Sequence, residues 1–340
     1  MCMNVDKRLK ELDIVPTRKM EFNEINYISQ TVAKKLADNI QELSDSYNEL
    51  YMRIFNCNMS YAHIDEKFGD VVYFYPNNTL YFDDSFKENK LINEYVIHEC
   101  LHYLQNFKNF DGNEKKIGMC NFTEFKIWGL GLNEAIIQCI ASKANGETPH
   151  RWQNNEISIY TLNNDYYPYL TSLAMELVFF TGKKWVVKEI IDGTDYFENN
   201  LYNTFEENTE KILEYFDEIL NENNKTDKDT GKIIQLYLKA QKEMYETYFN
   251  KMCNRVNSLE EIRDYTEKLE EARKISASIL GTSMKEYELS KYLNEIESKF
   301  NRKYMELYQK KYKKALVVSN QNKIINFLRR IASRLGFLKE

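Results

Sequence analysis

The segment His98-Glu99-Cys100-Leu101-His102, led in by Asn93-Glu94-Tyr95-Val96-Ile97, has two unlike sides. At about 100° per residue, His98, His102, Tyr95 and Leu91 fall in one narrow sector, with Glu99 at its edge. Ile92, Val96, Cys100, Tyr103 and Phe107 fall on the opposite face, flanked by Ile97 and Leu104. A helix over about 88–107 therefore needs a core behind it and a cleft in front. Any fold for this chain has to supply both.

Two histidines four apart on a helix point the same way, so both imidazoles can bind one zinc ion. A glutamate beside the first histidine lies over the metal's open position, where it can take a proton from water. A tetrahedral catalytic site needs a third protein ligand. His63 and His150 are the only other imidazoles, and Lys108 stands where a third histidine of the HExxHxxGxxH pattern belongs, which excludes a metzincin. Further on comes Gly129-Leu130-Gly131-Leu132-Asn133-Glu134-Ala135-Ile136-Ile137-Gln138. Asn133 reads as an N-cap, which puts Glu134 in a first turn. Gln138 follows one turn later on the same face, placed to hydrogen-bond a metal-bound imidazole.

HECLH followed by GLNEAIIQ resembles the gluzincin signature of the thermolysin-like peptidases: HExxH, then a second helix opening with Asn-Glu-Ala. The resemblance implies an α+β, zincin-like core and one Zn2+ per chain, held by His98, His102 and Glu134, with Glu99 as catalytic base. Glu124 is the rival third ligand. The resemblance covers about 50 of the 340 residues. It departs from the family in carrying Gln138 where an Asp stands, and in the 31 residues (103–133) between second histidine and glutamate. It also gives a role to the hairpin expected from Val71–Tyr75 and Leu80–Phe82 across Pro76-Asn77-Asn78-Thr79. Leu80–Phe82 would be an edge strand that holds an extended peptide by backbone pairing. The oxyanion donor stays open among Tyr166, Tyr167 and His150.

Elsewhere the periodicity predicts helix over 20–55, with Ile28, Val32, Leu36, Ile40 and Leu43 inward. Helices are also expected over 170–180, 205–221 and 232–315, the last with a break at Gly281-Thr282-Ser283, and 148–169 reads as irregular. Only 4 Pro and 11 Gly in 340 residues favour helices over a loop-rich or all-β fold. The polar run 221–231 reads as a linker, and the expected organisation is a metallopeptidase domain over 1–205 and a helical region over 206–340. Six cysteines without a CxxC pair read as reduced thiols. No segment has the roughly 18 apolar residues of a membrane span, and there is no signal core, so a cytoplasmic protein is expected.

The charge is uneven. Residues 301–340 hold 11 Lys/Arg against two acids, a net of +9, which leaves the first 300 residues at −15 of the total −6. Within that tail, 321–340 is basic and amphipathic; packing on the protein body is the expected fate, ahead of contact with a membrane surface. The expected partner is a peptide or protein substrate, and no nucleic acid. Two alternatives stay beside the peptidase: a zincin-fold binding or regulatory protein without turnover, and a helical interaction protein working through its basic tail.

Overall fold

The computed structural model describes residues 5–65, 68–108, 114–122, 127–154, 156–280 and 289–334. The chain is α+β and divides into two compact units, one of residues 1–245 with 275–285, the other of 246–274 with 286–340.

The first unit opens with α1 (Val5–Glu11), β1 (Val15–Lys19), α2 (Phe22–Asn39), α3 (Tyr47–Phe55) and β2 (Asn58–His63). Then follow β3 (Val71–Phe74), β4 (Thr79–Asp83), the one-turn α4 (Phe86–Asn89) and α5 (Glu94–Leu104). Ile28, Val32, Leu36, Ile40 and Leu43 are all buried, as their spacing predicts. The helix expected over 20–55 is nonetheless two helices, because Ile40 takes an extended conformation and a 3-10 turn intervenes.

The four strands form one sheet in the order β1-β2-β4-β3, with β2 and β4 parallel and the other pairs antiparallel. The β3–β4 hairpin turns where expected, through Tyr75–Asn77 and a left-handed Asn78. Its edge assignment has to be exchanged. Leu80–Phe82 lies inside the sheet, paired with Met59–Tyr61 on one side and β3 on the other, so Val71–Phe74 is the outermost described strand of that sheet.

Beyond α5 come β5 (Asn106–Lys108), β6 (Glu114–Ile117), β7 (Asn121–Phe122) and β8 (Ile127–Trp128), in two short antiparallel pairs. They lead into α6 (Leu130–Ala144). The span 148–169 is not irregular. It contains β9 (His150–Gln153) and β10 (Ile157–Thr161), which pair because Ile157 and Ile159 alternate into the core. The unit continues with α7 (Pro168–Thr181), α8 (Lys183–Asp192), α9 (Tyr196–Phe205), α10 (Thr209–Asn223) and the start of α11 (Thr230–Arg255).

This unit extends past the expected boundary at 205 because α10 is part of its core. Phe216 is fully buried, and its carbonyl oxygen would lie 2.2 Å from a Cβ added at Gly131 of α6. The expected linker at 221–231 is a capped connection between helices. The Glu222 carboxylate accepts from Lys225, Lys232 and the Asp229 amide, and Asp229 in turn accepts from the Lys232 amide.

The second unit holds the rest of α11, α12 (Leu259–Ile275) and α13 (Leu289–Arg334). The chain breaks at 256–258 between α11 and α12, whereas the break expected at Gly281-Thr282-Ser283 lies outside the described residues. β11 (Ser278–Ile279) returns to the first unit as a third strand beside β10. The described cysteines, Cys57, Cys100, Cys120, Cys139 and Cys253, are free. Among the described residues no helix is long and apolar enough to cross a membrane.

Candidate metal centre

α5 is shorter than its periodicity predicts. Asn93 caps it, accepting from the Val96 amide at 3.2 Å, so Leu91 and Ile92 precede the helix and Phe107 falls in β5. Val96, Ile97, Cys100, Leu101 and Leu104 are buried, and this apolar back fixes the direction in which the histidines point.

α6 meets α5 and carries Glu134. Asn133 does not cap this helix: it lies within α6, buried, and accepts from the Met119 amide at 3.0 Å. Glu134 therefore sits in the second turn. The cap comes from 86 residues downstream, where the two Asp217 oxygens accept from the Gly129 amide at 3.0 Å and the Gly131 amide at 2.8 Å. A carboxylate at this end of the helix also meets its positive dipole.

His98, His102 and Glu134 each bring a ligand atom into one cluster, all within 4.8 Å of one another. The Glu134 oxygens lie 3.3 Å from His98 Nε2 and 3.4 Å from His102 Nε2. Zinc bonds of about 2.0–2.1 Å at tetrahedral angles put ligand atoms roughly 3.3–3.4 Å apart, so both separations suit that ion. The two Nε2 atoms are closer, at 2.9 Å, and share a hydrogen bond. Glu124, the rival ligand, lies outside the described residues.

The proton positions on His98 follow from its neighbours. Ser142 Oγ donates to Glu94 at 3.1 Å and so accepts from Gln138 Nε2, also at 3.1 Å. That turns Gln138 Oε1 toward His98 Nδ1, 2.9 Å away. An oxygen there requires Nδ1 to carry the proton, which leaves the Nε2 lone pair directed into the cluster. Asn163 extends the network, donating to both Glu94 oxygens while its own oxygen accepts from the Asp165 and Tyr166 amides.

His102 is the opposite case. Gln105 Nε2 lies 3.0 Å from its Nδ1, which leaves the proton on Nε2 and the buried Gln105 Oε1 without a partner. A half-turn of the Gln105 amide would give that oxygen the Nδ1 proton and free Nε2 to ligate. The orphaned oxygen and the unequal protonation of the two rings fit a site completed by a cation. Burial lowers the His102 pKa, but the Glu134 charge and hydrogen bond, with Glu99 beyond, raise it to about 9. Burial pushes Glu134 up, and His102 and His98 together hold it well below the carboxylate range. The field that favours a proton between these groups favours a metal ion there equally.

Glu99 Oε2 accepts the Tyr73 amide of edge strand β3 at 2.7 Å. The Tyr166 ring stands edge-on to His98, with centroids 5.8 Å apart, and its hydroxyl bonds to that of Tyr167. Burial, with the neighbouring carboxylates Glu134 and Glu99, raises both phenols, so both remain hydrogen-bond donors. Tyr167 holds a left-handed backbone (φ 53°), a strained conformation for a side chain of its size. His150 is not brought to the centre; its ring nitrogens are engaged by Thr148 O and Asn164 Oδ1. Glu94, Gln105, Ser142, Asn163 and Asp217 were not singled out from the sequence. For two of them a signal exists: Glu94 is four residues before His98 and Ser142 four after Gln138, so each shares a helix face with its neighbour.

No protein-family model, no curated protein and no solved structure matches this chain.

Proposed function

We propose that this chain is a zinc-dependent metallopeptidase with a zincin-like core, of the gluzincin kind. The observation that carries the reading is the convergence of His98 Nε2, His102 Nε2 and a Glu134 carboxylate, with Glu99 one residue from the first ligand. His98, His102 and Glu134 would hold one zinc ion, which supplies a Lewis acid for the carbonyl and water acidified toward neutral pH. Glu99 takes the proton from the attacking water and returns it to the leaving amine. The Tyr167 hydroxyl is given to Asn224, so the Tyr166 hydroxyl, whose ring stands against His98, would be the donor for the oxygen that gains charge. β3 is the outermost strand of its sheet, and its Tyr73 amide is held by Glu99, so an extended substrate pairing there would have to displace that bond.

The test is metal analysis together with Glu99→Gln. One zinc per chain is expected in both proteins, with peptide cleavage in wild type and nearly none in the variant. Absence of zinc after metal is added back sinks the reading, and cleavage at wild-type rate by the variant removes Glu99 as base. A second reading, metal binding without general turnover, is favoured by the bond that ties Glu99 to Tyr73. Full zinc loading with no cleavage of any peptide in a diverse library would select it.

A further inference from the structure

Lys143, near the end of α6, is half-buried yet forms no ion pair among the described residues. Its ammonium faces that of Lys183, the first residue of α8; burial and this second cation pull the Lys143 pKa down to about 8. Lys183 is partly compensated, with Nζ 3.6 Å from Glu42 Oε1. The two lysines line a half-open pocket of about 450 Å³ between α6, α7 and α8. Its walls are almost wholly apolar, with Ile136 and Ile140 from α6, Ala174 and Val178 from α7, and Val186 and Val187 from α8. Cys139 also faces it, and burial pushes that thiol up to about 12, so it behaves as an apolar group.

An apolar space of this size lies within the range of small-molecule sites, roughly 300–1,000 Å³. It is separate from the metal centre, because Ile136, Ile140 and Lys143 lie on the far side of α6 from Glu134 and Gln138 at about 100° per residue. The apolar walls call for an aliphatic chain. The mouth calls for an anion, since an unpaired ammonium beside a second one is relieved by a carboxylate that accepts from both. Glu147 at the rim is the one acid lining the cavity; its charge opposes an anionic head group, and the two lysines outnumber it.

We infer that the cavity between α6, α7 and α8 binds a single-chain fatty carboxylate, its tail among the valines and isoleucines and its head group between Lys143 and Lys183. No covalent step is involved, and the site does not depend on the peptidase reading.

Calorimetric titration of the full chain with dodecanoate, dodecanol and dodecyltrimethylammonium, each below micelle formation, separates tail from head group. Dodecanoate is expected to bind about 10-fold tighter than the alcohol, with the cation weakest. Lys143→Gln combined with Lys183→Gln, both at the surface end of the cavity, is expected to bring dodecanoate down to the alcohol's affinity and leave the alcohol unchanged. Val178→Trp is expected to abolish binding of all three while melting near wild type. If it misfolds, the lysine variant carries the test by itself. Equal binding of the three amphiphiles, no binding of dodecanoate, or dodecanoate binding that survives loss of both lysines would each overturn the inference.

Discussion

Each histidine of the candidate metal centre is held by one neighbour whose hydrogen bond sets its protonation, and that makes those neighbours measurable. Gln138→Leu removes the acceptor that holds the proton on His98 Nδ1, and Gln105→Leu removes the amide that faces His102. Each is expected to weaken zinc affinity by about 10–100-fold. Glu134→Ala, which removes a ligand, is expected to lose more, and Glu124→Ala to stay near wild type. Competition against a zinc-chelating dye reads all four, and stripping of the metal by Glu124→Ala alone would reverse the ligand assignment. A second residue-scale case lies away from the metal. Burial pushes the Glu176 carboxyl up to about 8, against hydrogen bonds from Gln241, Tyr237 and Tyr245 that pull it down. Between its ordinary value of 4.5 and about 8, the unfolded chain gives up a proton that the folded chain keeps. Stability should therefore fall as pH rises through that window, by up to roughly 1.4 kcal/mol per pH unit from this group. Glu176→Gln is expected to flatten that slope in urea midpoints measured at pH 5.5 and 7.5, and an unchanged slope would mean that Glu176 ionises freely in the folded state.

Among the elements, α5 and α6 show what local sequence carries and where it stops. The apolar back of α5 and the His98–His102 spacing were legible because both are set within one helix. The position of Gln138 was legible for the same reason. The start of α6 was not: Asn133 has the chemistry of a cap, but Asp217 reaches the helix end first, from an element that is close only after folding. The hairpin was legible and its edge was not, because the strand that covers β4 is β2, which lies before β3 in the chain. The span 148–169 misled because its Asn and Tyr content masks a short alternation at Ile157 and Ile159. The α10–α6 contact gives the element-scale prediction. A methyl at position 131 would meet the Phe216 carbonyl carbon at 2.3 Å, and backbone cannot move aside as a flexible side chain can. Gly131→Ala is expected to cost at least about 1–3 kcal/mol of stability. Asp217→Ala is expected to cost about 1–2 kcal/mol, as loss of a buried cap does. Both should also weaken zinc binding, because Glu134 lies within the first two turns of the helix so held. Denaturant melts with and without zinc test this, and a wild-type melt for Gly131→Ala would show that α10 can withdraw from α6.

On the scale of the whole molecule, chemistry and charge are separated along the chain. The residues of the candidate metal centre lie between 98 and 134 in the first unit, while the excess of basic residues lies in α13 of the second. Within that second unit, burial of α13 ends early. Leu289, Leu293, Ile296 and Phe300 are buried, with the Phe300 ring stacked near that of Tyr265 at 6.1 Å between centroids. From there Tyr304, Met305, Tyr308 and Tyr312 are exposed, and Ile325 is exposed further along. The expectation that the basic end packs against the body therefore finds no support at these positions. The described side chains of 321–323, 325 and 326 are exposed, so their removal takes away few apolar contacts. Deletion of 321–340 is expected to leave the melting temperature within a few degrees and the zinc content at one per chain. The deletion takes five of the 11 basic residues of the tail and Glu340, so it lowers the charge of the truncated chain by 4. If 321–340 instead serves as an anionic-surface contact, the intact protein will co-sediment with phosphatidylserine vesicles at low salt and release them as salt is raised, and the truncated protein will not. Unfolding or loss of zinc on truncation would place the tail in the core and overturn the separation of chemistry from charge.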